Sequence, residues 1–81
     1  MTIQKQIKKM LGRILFEERQ KNNTSMAACC RALKTSPAMY ERLELGLDRV
    51  GWINFEAALK YFHKSIEIRL VDEPRNNKNS G

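Results

Sequence analysis

The chain has 81 residues, room for a single domain, and its 42% hydrophobic and 30% charged residues are the mixture of a globular protein. No apolar run approaches the roughly 20 residues that cross a bilayer, and no apolar stretch follows Lys5, Lys8 and Lys9, so the expected location is the cytoplasm, with no membrane partner. Fifteen Lys and Arg against nine Asp and Glu leave a net charge of +6, which points to a polyanionic partner or simply to a solvated basic surface.

Ile3, Ile7, Met10, Leu11, Ile14 and Leu15 recur at spacings of three and four, so the pattern predicts an amphipathic helix from residue 3 to Lys21 whose apolar face builds the core. Lys5, Lys8, Lys9 and Arg13 lie on this helix with no acid before Glu17; they either extend a basic face or solvate the outer side. Asn22-Asn23 ends it. Thr24 or Ser25 offers an N-cap for a second helix, Met26 to Leu33, rich in small side chains. Its adjacent Cys29 and Cys30 point in different directions, so they read as buried thiols rather than a disulfide. With only His63 as a further soft ligand, no metal site is expected.

Lys34-Thr35 breaks the chain, and Ser36 with Pro37 starts a third helix as N-cap and first helical residue. That helix runs to Leu45 and stops at Gly46, a residue suited to the left-handed conformation. Two short helices joined by about three residues have helix-turn-helix spacing. Leu47 to Gly51 reads as a loop, and Asn54 as the cap of a fourth helix with Phe55, Ala58, Leu59 and Phe62 on one face. After Lys64 the period changes to two, so residues 65–71 read as a half-buried strand closed by Pro74, and residues 74–81 as a polar, disordered tail. The domain would then span residues 1–73.

The stretch from Leu11 to Asp72 resembles the Xre/Cro/C1 family of bacterial and phage helix-turn-helix DNA-binding proteins. The resemblance lies in Arg19 near the end of the first helix, in Ser25-Met26-Ala27-Ala28-Cys29-Cys30-Arg31-Ala32-Leu33, and in Ser36 to Gly46 with its Glu44-Leu45-Gly46 ending. It implies a mainly α, lambda-repressor-like domain of four to five helices with a short C-terminal strand, as in antitoxin-like members. It also implies a structural ion pair between Arg19 and Glu44. The chain departs from the family at Met26 and Cys29, where Gln and Leu are usual, and at Pro37-Ala38-Met39, where polar residues are common.

A recognition helix enters the major groove by its N-terminal end. Base readout would fall to Pro37, Ala38, Met39, Glu41 and Arg42. Arg42 is suited to guanine O6 and N7 or to a phosphate, Glu41 to cytosine N4 or to solvent, and Ala38 or Met39 to a thymine methyl. Phosphate contacts would come from Arg31, Lys34, Ser36 and Arg49 and from the backbone near Met26. A lone strand needs a partner, so Ile66, Glu67, Ile68, Arg69 and Leu70 could pair with a second copy, placing Glu67 of one chain against Arg69 of the other.

The expected function is therefore that of a dimeric transcriptional regulator, a repressor or autoregulator, on a palindromic operator of double-stranded DNA. The alternatives are an antitoxin that also binds a toxin, or a helix-turn-helix protein acting through protein contacts. One histidine, no glycine-rich phosphate loop and no paired acids point away from an enzyme, and no cofactor is expected.

Overall fold

The computed structural model describes residues 2–73, which hold four helices: α1 (Ile3–Lys21), α2 (Met26–Leu33), α3 (Pro37–Leu45) and α4 (Trp52–Tyr61). The tail expected over 74–81 lies outside the described residues. Leu15, Cys29, Tyr40, Phe55 and Ala58 are completely buried, and Cys30, Leu43, Val50 and Leu59 nearly so, which makes one core shared by all four helices. Both cysteines are free thiols within it.

The periodicity reading of α1 needs correction. Of the six apolar residues assigned to its core face, only Leu15 is buried and Leu11 half-buried; Ile3, Ile7, Met10 and Ile14 stay exposed. The face turned inward carries Lys8, Gly12, Leu15 and Arg19 instead. The reason is the helix that α1 meets. A Cβ on Gly12 would stand 2.6 Å from the Glu44 carbonyl oxygen and 2.8 Å from the Gly46 nitrogen, so the backbones of α1 and α3 touch here. Gly46, left-handed at φ 63°, presses in turn on the backbone of Lys8 and Lys9. No larger residue fits either side of this contact.

Lys8 departs furthest from its reading as an outer basic residue. It is 3% exposed. Its Nζ donates to the Asp48 carbonyl oxygen at 2.6 Å and sits 4.8 Å from the centre of the Trp52 ring. A buried ammonium has to be satisfied in this way, by an oxygen and an aromatic face. Gln4 adds a bond to the Asp48 carboxylate at 3.3 Å, so the turn between α3 and α4 is tied down at two points.

Two further expectations fail. α4 begins two residues before Asn54, with Gly51 as a cap that makes no side-chain bond; Asn54 lies inside the first turn. Residues 65–71 form no strand, and no strand occurs among the described residues. The segment makes no backbone–backbone hydrogen bond to another described residue. Ile66 to Arg69 line a groove with Ile7, Leu11, Trp52 and Glu56, whereas Leu70 and Val71 are fully or largely exposed. Within the chain, Glu67 and Arg69 pair with each other at 3.2 Å.

Gly12→Ala and Gly46→Ala should each lower unfolding free energy by about 2 kcal/mol or more, because the added methyl must push apart two backbones rather than a flexible side chain. Chemical denaturation of each variant, with Gly51→Ala as the tolerant comparison, measures this.

Candidate nucleic-acid interface

Local chemistry sets the turn between α2 and α3. The Ser25 hydroxyl oxygen accepts from the Ala28 N–H at 3.1 Å and starts α2. α2 stops at Lys34, which takes the left-handed conformation at φ 54°, and its N–H and that of Thr35 return to the Arg31 and Cys30 carbonyls. Ser36 then caps α3, its hydroxyl oxygen accepting from the Met39 N–H at 3.2 Å, with Pro37 at the helix start. Three residues, 34–36, thus connect two capped helices. Neither helix has an acid in its first turn, which leaves both N-terminal dipole ends unneutralised.

α3 is held by its C-terminal half. Glu44 receives Arg19 through two bonds, Nε to Oε2 at 2.6 Å and Nη2 to Oε1 at 3.1 Å, while Nη1 reaches the Thr24 carbonyl at 3.4 Å. The two side chains are only 14% and 6% exposed. The guanidinium also lies over Phe16, 5.6 Å from the ring centre, and the bond to Glu44 pushes its pKa up. The pair expected from the resemblance is therefore present as a forked, largely desolvated bridge from α1 to α3. Beside it, Tyr40 points its hydroxyl inward near Cys29 and Glu44 without finding a hydrogen-bond partner. Burial pushes the Tyr40 phenol far above its ordinary pKa and raises the Cys29 thiol as well.

The N-terminal half of α3 is left open. Pro37, Ala38, Met39 and Glu41 are exposed, while Tyr40 and Leu43 turn inward. Arg42, expected to be exposed, is half-buried, because its guanidinium lies back along the helix with Nη1 3.2 Å from Met39 Sδ. Residues three apart on a helix share a face, which is what brings these two side chains into contact. Ser36 is exposed; its oxygen is engaged in the cap, and its O–H is still able to donate.

The basic residues divide into two groups. Arg31 and Lys34 are exposed at the end of α2, next to the turn and hence to the leading end of α3. Arg49 is exposed after the far end of α3, roughly 13 Å away along a nine-residue helix. Met26 is half-buried at the start of α2 and shares a groove with Lys9, Arg13, Glu41 and Glu44, so the outer basic arc of α1 approaches α3 from the side. Sequence reasoning missed Lys8 and Gly12. Gly12 did leave a signal, since a glycine inside a helical pattern costs about 1 kcal/mol and usually has a packing reason; Lys8 left none.

Glu44→Gln should cost on the order of 3 kcal/mol, because it strands a largely buried guanidinium. Tyr40→Phe should be neutral or slightly stabilising at pH 7, since the hydroxyl it removes has no partner. The Tyr40 and Cys29 pKa values are raised in the folded state, so unfolding releases protons above the ordinary values of 10.0 and 9.0. Stability is fully present below about pH 9 and falls as pH rises past these values. Melting temperatures measured from pH 7 to pH 11 should show that fall, and a shallower one in Tyr40→Phe.

Compared with protein-family models, curated proteins and solved structures, the chain matches none of them.

Proposed function

We propose that the chain is a helix-turn-helix protein of the Xre/Cro/C1 type that binds double-stranded DNA as a dimer and regulates transcription. The observation that carries this reading is the contrast within α3: its C-terminal half is clamped by Arg19 and the glycine contact, and its N-terminal end stands free beyond a three-residue turn. A rod so held keeps its leading end in place when it enters a groove, and the width of the major groove admits a helix.

In this reading α3 inserts with Pro37, Ala38, Met39 and Glu41 toward the base edges. The surface is mostly apolar and short, so contact with thymine methyls by Ala38 and Met39 outweighs hydrogen-bonded readout. Arg42 reaches guanine or a phosphate only after leaving the Met39 sulfur. Arg31 and Lys34 neutralise phosphates at the leading end, Arg49 at the far end, and the unneutralised N–H groups at the start of α2, near Met26, supply a further contact. Nothing in this scheme needs a cofactor or a bond-breaking step, and the protein works in the cytoplasm by occupying its operator. No helix among the described residues is long and apolar enough to cross a membrane.

A second reading draws on the segment after α4. Ile68, Leu70 and Val71 are 88%, 100% and 83% exposed on a backbone without ladder partners. An edge of this kind suits strand addition by a different protein, as an antitoxin would use on its toxin.

A gel-shift assay on duplex DNA from upstream of the gene, with a salt titration, tests the first reading. Removing Arg31, Lys34 or Arg49 singly should lower the salt slope by about one and weaken all sequences alike. Arg42→Ala should cost about 1–3 kcal/mol at one base position, and equal loss on every sequence would place Arg42 on phosphate. A folded protein that binds no duplex even in dilute salt overturns the reading. The double variant Leu70→Lys with Val71→Lys separates the two, since both residues are exposed outside the groove beside α1: DNA binding should survive it, whereas toxin capture should not.

A further inference from the structure

α1 has a second apolar face that neither the core nor the proposed DNA surface uses. Ile3, Ile7, Met10 and Ile14 are spaced four, three and four residues apart and are 73%, 40%, 61% and 38% exposed. This is the spacing of a seam by which two helices pack side by side, each side chain filling a hole in the other helix. Single exposed apolar residues are ordinary on a monomer, but an aligned row is not. The row also continues sideways, since Ile7 lines one groove with Trp52, Ile66 and Ile68. The basic side of α1, with Lys9 and Arg13, faces a different groove that includes Met26 and Glu41. The seam therefore turns away from the surface proposed for DNA.

We propose that a second copy of this chain covers the seam, with the two α1 helices antiparallel about a two-fold axis between Ile7 and Met10. Ile3 then meets Ile14 of the partner subunit, and Ile7 meets Met10 of the partner subunit. One set of residues fills both sides, as a two-fold contact requires. The charges select the direction. Beyond Ile14 the seam runs on to Glu17, held by Arg13 of its own helix at 3.1 Å, and to Lys21, so parallel helices would stack each against its own copy and lay one lysine-bearing start beside the other. Antiparallel helices carry Glu17 to the N-terminal end of the partner's α1, where the helix dipole is positive and the first turn holds no acid, while Glu18 stays with Lys21 and Lys64 of its own chain. Gln4, Gln6 and Leu11 flank the row without charge.

A stable interface takes about 800 Å² from each partner, more than four side chains supply. Trp52 and Ile68, 43% and 88% exposed beside the seam, extend it. This assigns the interface of the dimer named above and rests on that reading only for its use on DNA. It also replaces pairing through residues 65–71 as the source of the dimer.

Sedimentation of the full chain at tens of micromolar should give a dimer. Met10→Glu, at a position outside the core, should weaken dimerisation about tenfold or more and leave the helical circular-dichroism spectrum unchanged. The double variant Ile3→Cys with Ile14→Cys should cross-link between chains on mild oxidation, whereas Ile3→Cys alone should not, because its partner position is isoleucine. A monomeric wild type, a dimer indifferent to Met10→Glu, or cross-linking of Ile3→Cys alone overturns the proposal. Duplex binding is scored on the same samples. A monomer that still shifts DNA sinks the seam and the dimer but spares the insertion of α3 into the groove, and a seam dimer that ignores DNA does the reverse.

Discussion

The backbone contact between α1 and α3 is the constraint from which the rest of the molecule follows. Gly12 and Gly46 each occupy a place where a methyl group would collide with main chain, and they lie against one another. Close approach of this kind orients α3 rigidly, because backbones do not yield as side chains do. Arg19 and Glu44 extend the contact toward the end of α1, and Lys8 continues it to the turn after α3. One helix thus grips α3 and the loop that follows it. Pro37, Ala38 and Met39 stay exposed because what holds α3 begins at Tyr40 and continues through Leu43, Glu44 and Gly46.

This arrangement explains how the core can afford polar members. Lys8, Arg19 and Glu44 are all largely desolvated, and each meets an oxygen, a ring or an opposite charge. Such groups add little net stability compared with apolar packing, but they penalise any other docking of α1 heavily, since a slip of one turn would strand them. In a small domain with few core residues, that penalty selects one alignment. Tyr40 is the exception: its ring fills the centre of the core and its hydroxyl finds no partner.

The two sides of α1 also divide the surface into distinct territories. The basic arc of Lys9 and Arg13 lies toward α2 and α3, while the exposed row of Ile3, Ile7, Met10 and Ile14 borders Trp52 and the segment after α4 at Ile7. Apolar contact and charge neutralisation require opposite surroundings, and α1 keeps the two on separate sides.

Much of the secondary structure was legible from residues alone. Ser25, Ser36, Pro37 and Gly46 are local devices, acting within four residues through a hydroxyl, a missing N–H or a tolerated positive φ, so the bounds of α2 and α3 could be read directly. The Arg19–Glu44 pair was legible only through the family resemblance, since nothing local links residues twenty-five apart. What tertiary structure alone decided is which side of α1 faces inward. Its sequence carries an apolar arc wide enough for two partners, and periodicity marks the arc without saying which part is covered by the same chain. Gly12 settled it, through a backbone contact that no hydropathy pattern contains, and with it went the burial of Lys8. The segment over 65–71 shows the same limit from the other side: alternation states that a strand could form, but a strand exists only where a second backbone supplies its hydrogen bonds.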